Sequence, residues 1–192
     1  MEAFEKAQSD TKKKTTLYKE RDEAKRAEFI KTISAIAPET IVFIDEAGVD
    51  NRLFRAYARA PRGVKIYADI PGKKRERHSM IGGWMNHKFI APFTFQGGCN
   101  ANVFNTWLEN ILLPELPKGT TVVMDNAAFH KSARTRELIE GAGCFLLYLP
   151  TYSPDFNPIE HCWHTLKSRL KPLIQHCLSN LQKLIGDCLL TI

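Results

Sequence analysis

The sequence predicts an α/β domain in which a mixed five-stranded sheet is flanked by helices, with helical extensions at both ends. The first observation is that three short apolar runs alternate with segments of helical periodicity, a pattern typical of parallel strands joined by crossovers. The second is a hairpin pattern between the first two runs, which adds antiparallel strands. The third is length, because 192 residues suffice for one well-buried core and contain no internal repeat.

The N-terminal segment, residues 1–38, is predicted to be a polar arm followed by one amphipathic helix. Residues 15–37 are rich in charge and alanine and carry apolar side chains at helical spacing. Asp22 and Arg26 lie four residues apart, as a helical ion pair would. Pro38 is predicted to end the helix.

The central region, residues 39–171, supplies the sheet. The predicted strands are 41–45, 79–85, 88–95, 120–125 and 144–150, and the predicted helices are 102–113, 131–140 and 158–170. Asn86 and His87 form the hairpin turn, and the pair Gly82 and Gly83 predicts a bulge or a close backbone approach. Residues 51–70 are expected to form an irregular insertion, and residues 172–192 a C-terminal helix with an apolar stripe.

Three acids stand out by position. Asp45 and Asp125 end two of the buried strands, where reactive groups collect in parallel sheets, and Glu160 lies in the first turn of the following helix. Converging carboxylates repel each other and call for a hard cation such as Mg²⁺. Each acid also has a structural interpretation, because an Asp after a strand often caps a helix, and Asn157, Pro158 and Glu160 fit a capping box.

Composition narrows the function classes. The net charge of +6 favours a polyanionic partner, although a merely soluble surface explains it equally well. Five cysteines without a CxxC pair indicate neither a disulfide framework nor a zinc site, so we expect reduced thiols. No run approaches the roughly 18 apolar residues of a membrane span, and no apolar signal region is present, so we expect a cytoplasmic protein without membrane contact.

Three blocks of sequence surround the acids: FIDEAG (43–48), VVMDNAAFHK (122–131) and YLPTYSPDFNPIEHCWHTLK (148–167). Together they resemble the catalytic blocks of DDE transposases of the mariner superfamily, in its bacterial insertion-sequence branch. The 34 residues 126–159 that separate Asp125 from Glu160 match a spacing typical of that superfamily. The third block is the most specific, because a capping box alone does not demand a Tyr-Ser-Pro sequence before it.

The resemblance implies an RNase H-like fold and a metal-dependent enzyme that acts on DNA. The family's catalytic acids correspond to Asp45, Asp125 and Glu160, which would bind two Mg²⁺ or Mn²⁺ ions. Water first hydrolyses the phosphodiester at the transposon end, and the freed 3′-hydroxyl then attacks target DNA, without a covalent enzyme intermediate. Family members commonly insert at TA. The implied partners are transposon-end and target DNA and a second copy of the chain in the synaptic complex.

Supporting residues are less specific. Asn126 and His130 could orient a metal ligand or touch a phosphate, although a histidine at a helix start is as often structural. Glu46 is expected to point away from Asp45 if the strand persists, and is left out of the metal set. The predicted DNA-binding residues are Lys73, Lys74, Arg75, Arg77 and Lys167, with a solvated lysine as the alternative for the last. Trp84, Trp107 and Trp163 are predicted to lie in the core.

Full-length family members begin with helix-turn-helix domains, for which this chain has no room before residue 15. We therefore expect a linker (1–38), an RNase H-like catalytic domain (39–171) and a C-terminal helix (172–192), acting at the bacterial nucleoid. The DNA-binding domain would be lost or separately encoded. Two alternatives stay open: a nuclease of the same fold that hydrolyses without joining, and a catalytically idle DNA-binding or assembly module whose C-terminal stripe forms an interface.

Overall fold

The computed structural model describes residues 18–50, 53, 59–67, 77–174 and 181–189. Its centre is a five-stranded sheet in the order β3-β2-β1-β4-β5. The strands are β1 (Ile41–Val49), β2 (His78–Met85), β3 (Lys88–Gln96), β4 (Thr121–Met124) and β5 (Phe145–Tyr148). β1, β4 and β5 run parallel, whereas β2 and β3 join the sheet antiparallel. The predicted mixed five-stranded sheet is confirmed.

The helices alternate with the strands as the apolar periodicity predicts. They are α1 (Glu23–Ser34), α2 (Ala101–Trp107), α3 (Leu113–Glu115), α4 (Ala133–Gly141), α5 (Ile159–Ile174) and α6 (Leu181–Leu189). A π-helical turn, Leu108–Leu112, connects α2 to α3, so the predicted helix 102–113 is interrupted by a wider turn.

β1 is longer than the predicted 41–45 because it pairs with two neighbours over different lengths. Ile41 to Phe43 pair in parallel with β4, and Phe43 to Val49 pair antiparallel with β2. Asp45 therefore lies just beyond the parallel pairing, opposite Gly82 of β2. The antiparallel partner keeps the chain extended past the acid that was expected to end the strand.

The predicted hairpin between β2 and β3 is confirmed. Asn86 and His87 have φ of 51° and 59°, the left-handed conformation that a tight two-residue hairpin turn requires. The register shifts between Ile81 and Gly83, which confirms the predicted bulge. At Gly82 a Cβ atom would lie 2.3 Å from Phe89 Cζ, so the absence of a side chain lets this ring approach the backbone.

Helices cover both faces of the sheet. α5 and α6 pack against Ala47, Val49 and Met80 on one face. α2 and α4 pack on the other face, against a cluster that includes Ile44 and Val122. The predicted core tryptophans follow this division: Trp107 and Trp163 are 1% and 2% exposed, and Trp84 is half-buried against the first cluster.

α1 differs from its prediction in its start and in its ion pair. The helix begins at Glu23, and the Asp22 side chain caps it by accepting hydrogen bonds from two amides of the first turn. The predicted pairing of Asp22 with Arg26 is wrong, because Asp22 is occupied as the cap. Arg26 instead binds Asp155 through two nitrogens, at 3.0 and 2.7 Å. Residues 15–17 lie outside the described part.

The C-terminal apolar stripe is part of the core. α5 continues to Ile174, past both the predicted helix end near residue 170 and the predicted domain boundary at 171, because its apolar face stays buried as far as Ile174. α6 then buries Leu181, Ile185, Cys188 and Leu189 in the same cluster as α5. The stripe's predicted members Cys177 and Leu178 lie outside the described residues.

Other predictions fall partly on undescribed residues. The insertion 51–70 is described only at 53 and 59–67, and Lys73, Lys74 and Arg75 lie outside the described ranges. Cys99, Cys144, Cys162 and Cys188 are not disulfide-bonded. Among the helices that the structure describes, none combines the length and apolar character needed to cross a membrane.

Candidate active site

The three predicted catalytic acids line one pocket at the carboxyl edge of the parallel strands. Asp45 comes from β1, Asp125 follows β4, and Glu160 lies in the first turn of α5. The pocket has a volume of about 380 Å³. Three elements far apart in the chain thus bring their carboxylates to one place.

Asp45 is half-buried and is held by a residue of α5. Its Oδ2 accepts a hydrogen bond from Trp163 Nε1 at 3.1 Å. Burial raises the pKa of Asp45 to about 7, and the negative charges of Glu46, Glu160 and Asp125 add to the rise. When the ionisation of a carboxyl group is opposed in this way, a nearby cation strongly stabilises its ionised form.

Asp125 is held at one oxygen from two sides. Its Oδ1 accepts a hydrogen bond from the Ala127 amide at 2.9 Å and lies 2.7 Å from His130 Nδ1. Burial acts to raise the pKa of Asp125, but these two hydrogen bonds and the charge of His130 outweigh burial and hold the pKa below its ordinary value. Asp125 is therefore an ionised, oriented carboxylate at neutral pH.

His130 is completely buried between two carboxylates. Its Nδ1 faces Asp125, and its Nε2 lies 2.9 Å from Glu46 Oε1. Burial opposes the imidazolium charge, but the two carboxylates more than offset it and raise the pKa of His130 to about 9. Both ring nitrogens then carry a proton and donate. The aromatic rings of Phe104 and Phe129 pack against the imidazole, with centroids 4.3 Å away in each case.

Glu46 lies on the opposite face of β1 from Asp45, as strand alternation predicts. Its contact with His130 does not follow from the sequence, since the two residues are 84 positions apart and no local periodicity connects them. Only the pairing of β1 beside β4 brings the two together. The signal that could have found this pair is the presence of an acid next to Asp45 and a histidine five residues after Asp125.

The loop after β4 is also more structured than predicted. His130 lies in a 3₁₀ turn, Ala128–Lys131, and α4 begins only at Ala133, capped by the Ser132 hydroxyl. The Tyr148 hydroxyl donates to the His130 carbonyl at 3.0 Å. Asn126 Nδ2 donates to the Leu149 carbonyl, which ties the ends of β4 and β5 together beside the pocket.

The predicted capping box before α5 is wrong. A 3₁₀ turn, Pro154–Phe156, precedes the helix, and its first carbonyl accepts the Asn157 amide at 2.9 Å. That amide is the group which Glu160 would otherwise have capped. Asn157 Oδ1 is buried without a hydrogen-bond partner, so this side chain does not cap the helix either. Glu160 therefore does not cap the Asn157 amide, and it lines the pocket instead.

The donor set around the pocket consists of oxygens. The carboxylates of Asp45, Asp125 and Glu160 are joined by the unpartnered Asn157 Oδ1, and all four residues line the cavity. Oxygen ligands suit Mg²⁺ or Mn²⁺. In the conformations of the described residues, no three acidic, histidine or cysteine side chains are grouped closely enough to hold one metal ion. Asp45 and Asp125 are held by their hydrogen-bond donors, whereas Glu160 is exposed.

The two described members of the predicted DNA-binding set do not line this pocket. Arg77 is exposed, and its guanidinium packs over Gly48, where a Cβ atom would lie 2.3 Å from Arg77 Nε. It belongs to a separate cavity near the end of β1, with Asp50 and Leu53. Lys167 is half-buried on α5, two turns beyond Glu160.

The sequence matches the family model of the DDE superfamily endonuclease over residues 40–183, a range that includes all three acids. The chain belongs to the DDE superfamily endonucleases. The chain is 36% identical to the transposable element Tc1 transposase of Caenorhabditis elegans over 69 residues, or 36% of this chain and 25% of that protein. It is 34% identical to the Tcb1 transposase of Caenorhabditis briggsae over 97 residues, or 48% of this chain and 36% of that protein.

Solved structures agree on the fold. The Mos1 transposase paired-end complex with left transposon end aligns with a TM-score of 0.66 at 16% identity, covering 85% of this chain and 54% of that chain. The Mos1 strand transfer complex aligns with a TM-score of 0.65 at 17% identity, covering 86% and 53%. The chain thus has the expected RNase H-like fold. It spans between about a quarter and about half of the length of these relatives.

Proposed function

We propose that this DDE endonuclease is the catalytic part of a transposase that cuts DNA at a transposon end and joins the freed 3′-hydroxyl to target DNA. The observation that carries the proposal is the convergence of Asp45, Asp125 and Glu160 on one pocket of an RNase H-like fold. Membership of the DDE endonuclease family and the sequence likeness to two nematode transposases support it.

We propose that the three carboxylates hold two divalent ions, Mg²⁺ or Mn²⁺. The ions would neutralise the acids and supply the Lewis acidity that activates a water or hydroxyl oxygen. The Mos1 paired-end complex has been solved with Mn and with Mg, which supports this class of cofactor. Trp163 holds Asp45, while His130 and the Ala127 amide hold Asp125, so two carboxylates are oriented before binding.

Two substitutions at phosphorus make up the reaction. In the first, a water oxygen bonds to phosphorus, the bond from phosphorus to the 3′ oxygen breaks, and that oxygen leaves as a hydroxyl. In the second, the same 3′-hydroxyl attacks a target phosphodiester and loses its proton, and the target's own 3′ oxygen leaves with a proton. Neither step needs a redox partner. The pocket carboxylates would hold the cations, which would orient the reacting groups and balance their negative charge.

A cut-and-join assay tests the proposal. The substrate is a labelled duplex carrying the terminal repeat from the DNA that flanks the gene, with a supercoiled plasmid as target and Mg²⁺ or Mn²⁺ present. We expect Asp125→Asn and Glu160→Gln to lower cleavage at least about a hundredfold, the scale on which removing one preorganised electrostatic group acts. Glu109→Gln, which alters an exposed pair with Arg134, is the control and should cleave normally.

The products separate the alternatives. Joined products identify a transposase, whereas cleavage without joining identifies a nuclease of the same fold. If Asp125→Asn cleaves as well as the unmodified chain, the catalytic assignment fails. If both the unmodified chain and Asp125→Asn bind DNA without cleaving it, the chain is a catalytically idle DNA-binding module.

We further propose that the chain acts as a homodimer with a separately encoded helix-turn-helix protein, at the bacterial nucleoid, in the insertion-sequence branch of the mariner superfamily. The YSPDFNPIE motif, residues 152–160, which runs into the first turn of α5, supports this branch. The flanking genomic DNA tests it: we expect inverted repeats, a duplicated TA and a helix-turn-helix reading frame. Light scattering with end DNA should give a complex that contains two chains, and a complex that contains a single chain would contradict the dimer.

The basic residues remain proposed contacts to the DNA backbone. They are Lys73, Lys74, Arg75, Arg77 and Lys167. Replacing Lys167 by alanine should weaken binding uniformly across DNA sequences and reduce the slope of log affinity against log salt by about 1. An unchanged slope would show that Lys167 is a solvated lysine.

A further inference from the structure

Glu46 occupies a position that a surface acid would not need. Its side chain is 14% exposed, and its Oε1 lies 2.9 Å from Nε2 of the fully buried His130. The other nitrogen of the same ring lies 2.7 Å from Asp125 Oδ1. A continuous path of two short hydrogen bonds therefore runs from Glu46 to a proposed metal ligand.

The contacts select one oxygen of Asp125. Both the Ala127 amide and His130 Nδ1 bind Oδ1. Among the hydrogen bonds that the structure describes, none involves Oδ2. The His130 imidazole cannot rotate without losing the hydrogen bond between Nε2 and Glu46. Glu46 therefore restrains the direction from which Nδ1 holds Asp125.

We propose that Glu46 is a positioning residue, which acts through His130 to hold Asp125 Oδ1 and so presents Asp125 Oδ2 to a divalent cation. The inference rests on the proposed function, in which Asp125 is a metal ligand. Removing a group that hydrogen-bonds to a metal ligand and orients it typically lowers metal affinity 10- to 100-fold. Glu46 itself lies on the opposite face of β1 from Asp45 and makes its contact behind the pocket rather than inside it.

The surroundings make the hydrogen bond between Glu46 and His130 costly to break. Phe104 and Phe129 pack against the imidazole and exclude water from it. A ring nitrogen that lost its acceptor here would stay unsatisfied or move the ring. Either outcome would be transmitted to Asp125 through Nδ1.

The test measures Mn²⁺ binding directly, by electron paramagnetic resonance of the DNA-free chain, together with cleavage at graded Mn²⁺ concentrations. We expect Glu46→Ala to weaken Mn²⁺ binding about 10- to 100-fold. Glu46→Gln keeps an oxygen at the same distance for Nε2 and should restore most of the affinity. Glu46→Asp keeps the charge but is one carbon shorter, so it should behave like Glu46→Ala.

A double-variant cycle shows whether the effect passes through His130. His130→Ala should weaken Mn²⁺ binding by itself, and adding Glu46→Ala to it should cause no further loss. At saturating Mn²⁺ the cleavage rate of Glu46→Ala should recover toward that of the unmodified chain, because the metal ligands are intact. Glu109→Ala is the matched control, and circular dichroism and melting temperature check that each variant is folded.

Several outcomes would overturn the inference. The losses of Mn²⁺ affinity could instead add up in the double variant, with Glu46→Gln binding Mn²⁺ as weakly as Glu46→Ala. That result would make Glu46 a metal ligand in its own right. A Glu46→Ala protein that binds Mn²⁺ normally, while Asp125→Asn does not, would refute the positioning role and leave the proposed function standing. If Asp125→Asn also binds Mn²⁺ normally, the proposed function itself fails.

Discussion

Asp45 is held by a side chain 118 positions away in the sequence, whereas Asp125 is held by one only five positions away. Trp163 of α5 donates to Asp45 Oδ2, and His130 contacts Asp125 Oδ1. Both donors are buried, so neither can exchange its bond for water at low cost. The two acids are therefore oriented by the fold in the absence of any cation.

The hydrogen bond from Trp163 can be tested by a change that keeps most of the packing. Trp163→Phe removes the Nε1 donor and leaves a smaller aromatic ring beside Phe89. We expect Asp45, which is then no longer held, to bind its cation less tightly, so that cleavage requires about tenfold more Mg²⁺. Metal-dependent cleavage at graded Mg²⁺ measures this.

Trp107→Phe is the matched control for that experiment. Trp107 is equally buried and donates its Nε1 to the Ala91 carbonyl at 2.9 Å, away from the pocket. Both variants should lose about 1 to 3 kcal/mol of unfolding free energy through an unsatisfied acceptor and lost volume. An equal change in Mg²⁺ requirement for the two variants would mean that the effect is general loosening, not the bond to Asp45.

Among the elements, α1 is joined to the turn that precedes α5. Arg26 binds Asp155 with two hydrogen bonds and lies 4.0 Å from the centroid of the Phe156 ring. Phe29 stacks on the same ring, with centroids 5.5 Å apart. The helix that precedes the sheet thus supports the segment leading to Glu160.

Arg26→Met should lower the unfolding free energy by about 1.5 to 3 kcal/mol, the range for hydrogen bonds to charged groups. The hydrogen bond and charge of Arg26 hold the pKa of Asp155 below 3.8, its ordinary value. The pair therefore stabilises fully above pH 3.8, and its contribution is lost as the pH falls through the lowered pKa of the folded state. Urea unfolding at several pH values should show the difference between variants shrinking only below pH 3.8; a constant difference would contradict the pairing.

The bulge in β2 gives a second prediction for the elements. Gly82→Ala would place a Cβ atom 2.3 Å from the Phe89 ring, opposite Asp45 in the ladder, and should cost about 1 to 3 kcal/mol. Gly141→Ala in α4 meets nothing within 4 Å and should stabilise the chain by about 0.4 to 1 kcal/mol. Thermal unfolding measures both, and a neutral Gly82→Ala would show that the ring moves aside freely.

For the whole molecule, the sequence was sufficient where the information is local. Alternation of apolar runs with helical periodicity predicted the sheet and its helices, and an acid after each of two buried strands predicted the pocket at one edge. What periodicity cannot encode is which distant residues meet. Arg26 and Asp155 are 129 positions apart and Glu46 and His130 are 84 apart, and only the folded topology joins them.

The two wrong predictions, the capping box before α5 and the ion pair of Asp22 with Arg26, have the same origin. The capping box before α5 satisfied every local rule, but a competing 3₁₀ turn takes the Asn157 amide first. The Asp22 side chain was predicted to pair with Arg26, yet it serves the helix end, where its oxygen meets two otherwise unpaired amides. Local patterns name the groups that are able to bond, and competition within the fold decides which bonds form.

The last prediction concerns α6 and the unity of the domain. Ile185 is completely buried in the cluster that joins α6 to α5, the helix of Glu160, and to Ala47 and Val49 of β1. Ile185→Ala should therefore lower the unfolding free energy of the entire chain by about 2 to 5 kcal/mol in a single transition, because the cavity opens in the shared core. Chemical denaturation followed by both tryptophan fluorescence and circular dichroism measures this.

Leu184 is the half-buried neighbour of Ile185, and Leu184→Ala is the control. It should lower the unfolding free energy clearly less than Ile185→Ala does. If the C-terminal stripe instead served an interface between chains, Ile185→Ala would leave the stability of the isolated chain unchanged and weaken only its self-association. Sedimentation at several protein concentrations separates the two results. Because Ile185, Leu181 and Leu189 are already covered by the chain's own core, we expect a loss of stability without a change in association at equal folded fraction.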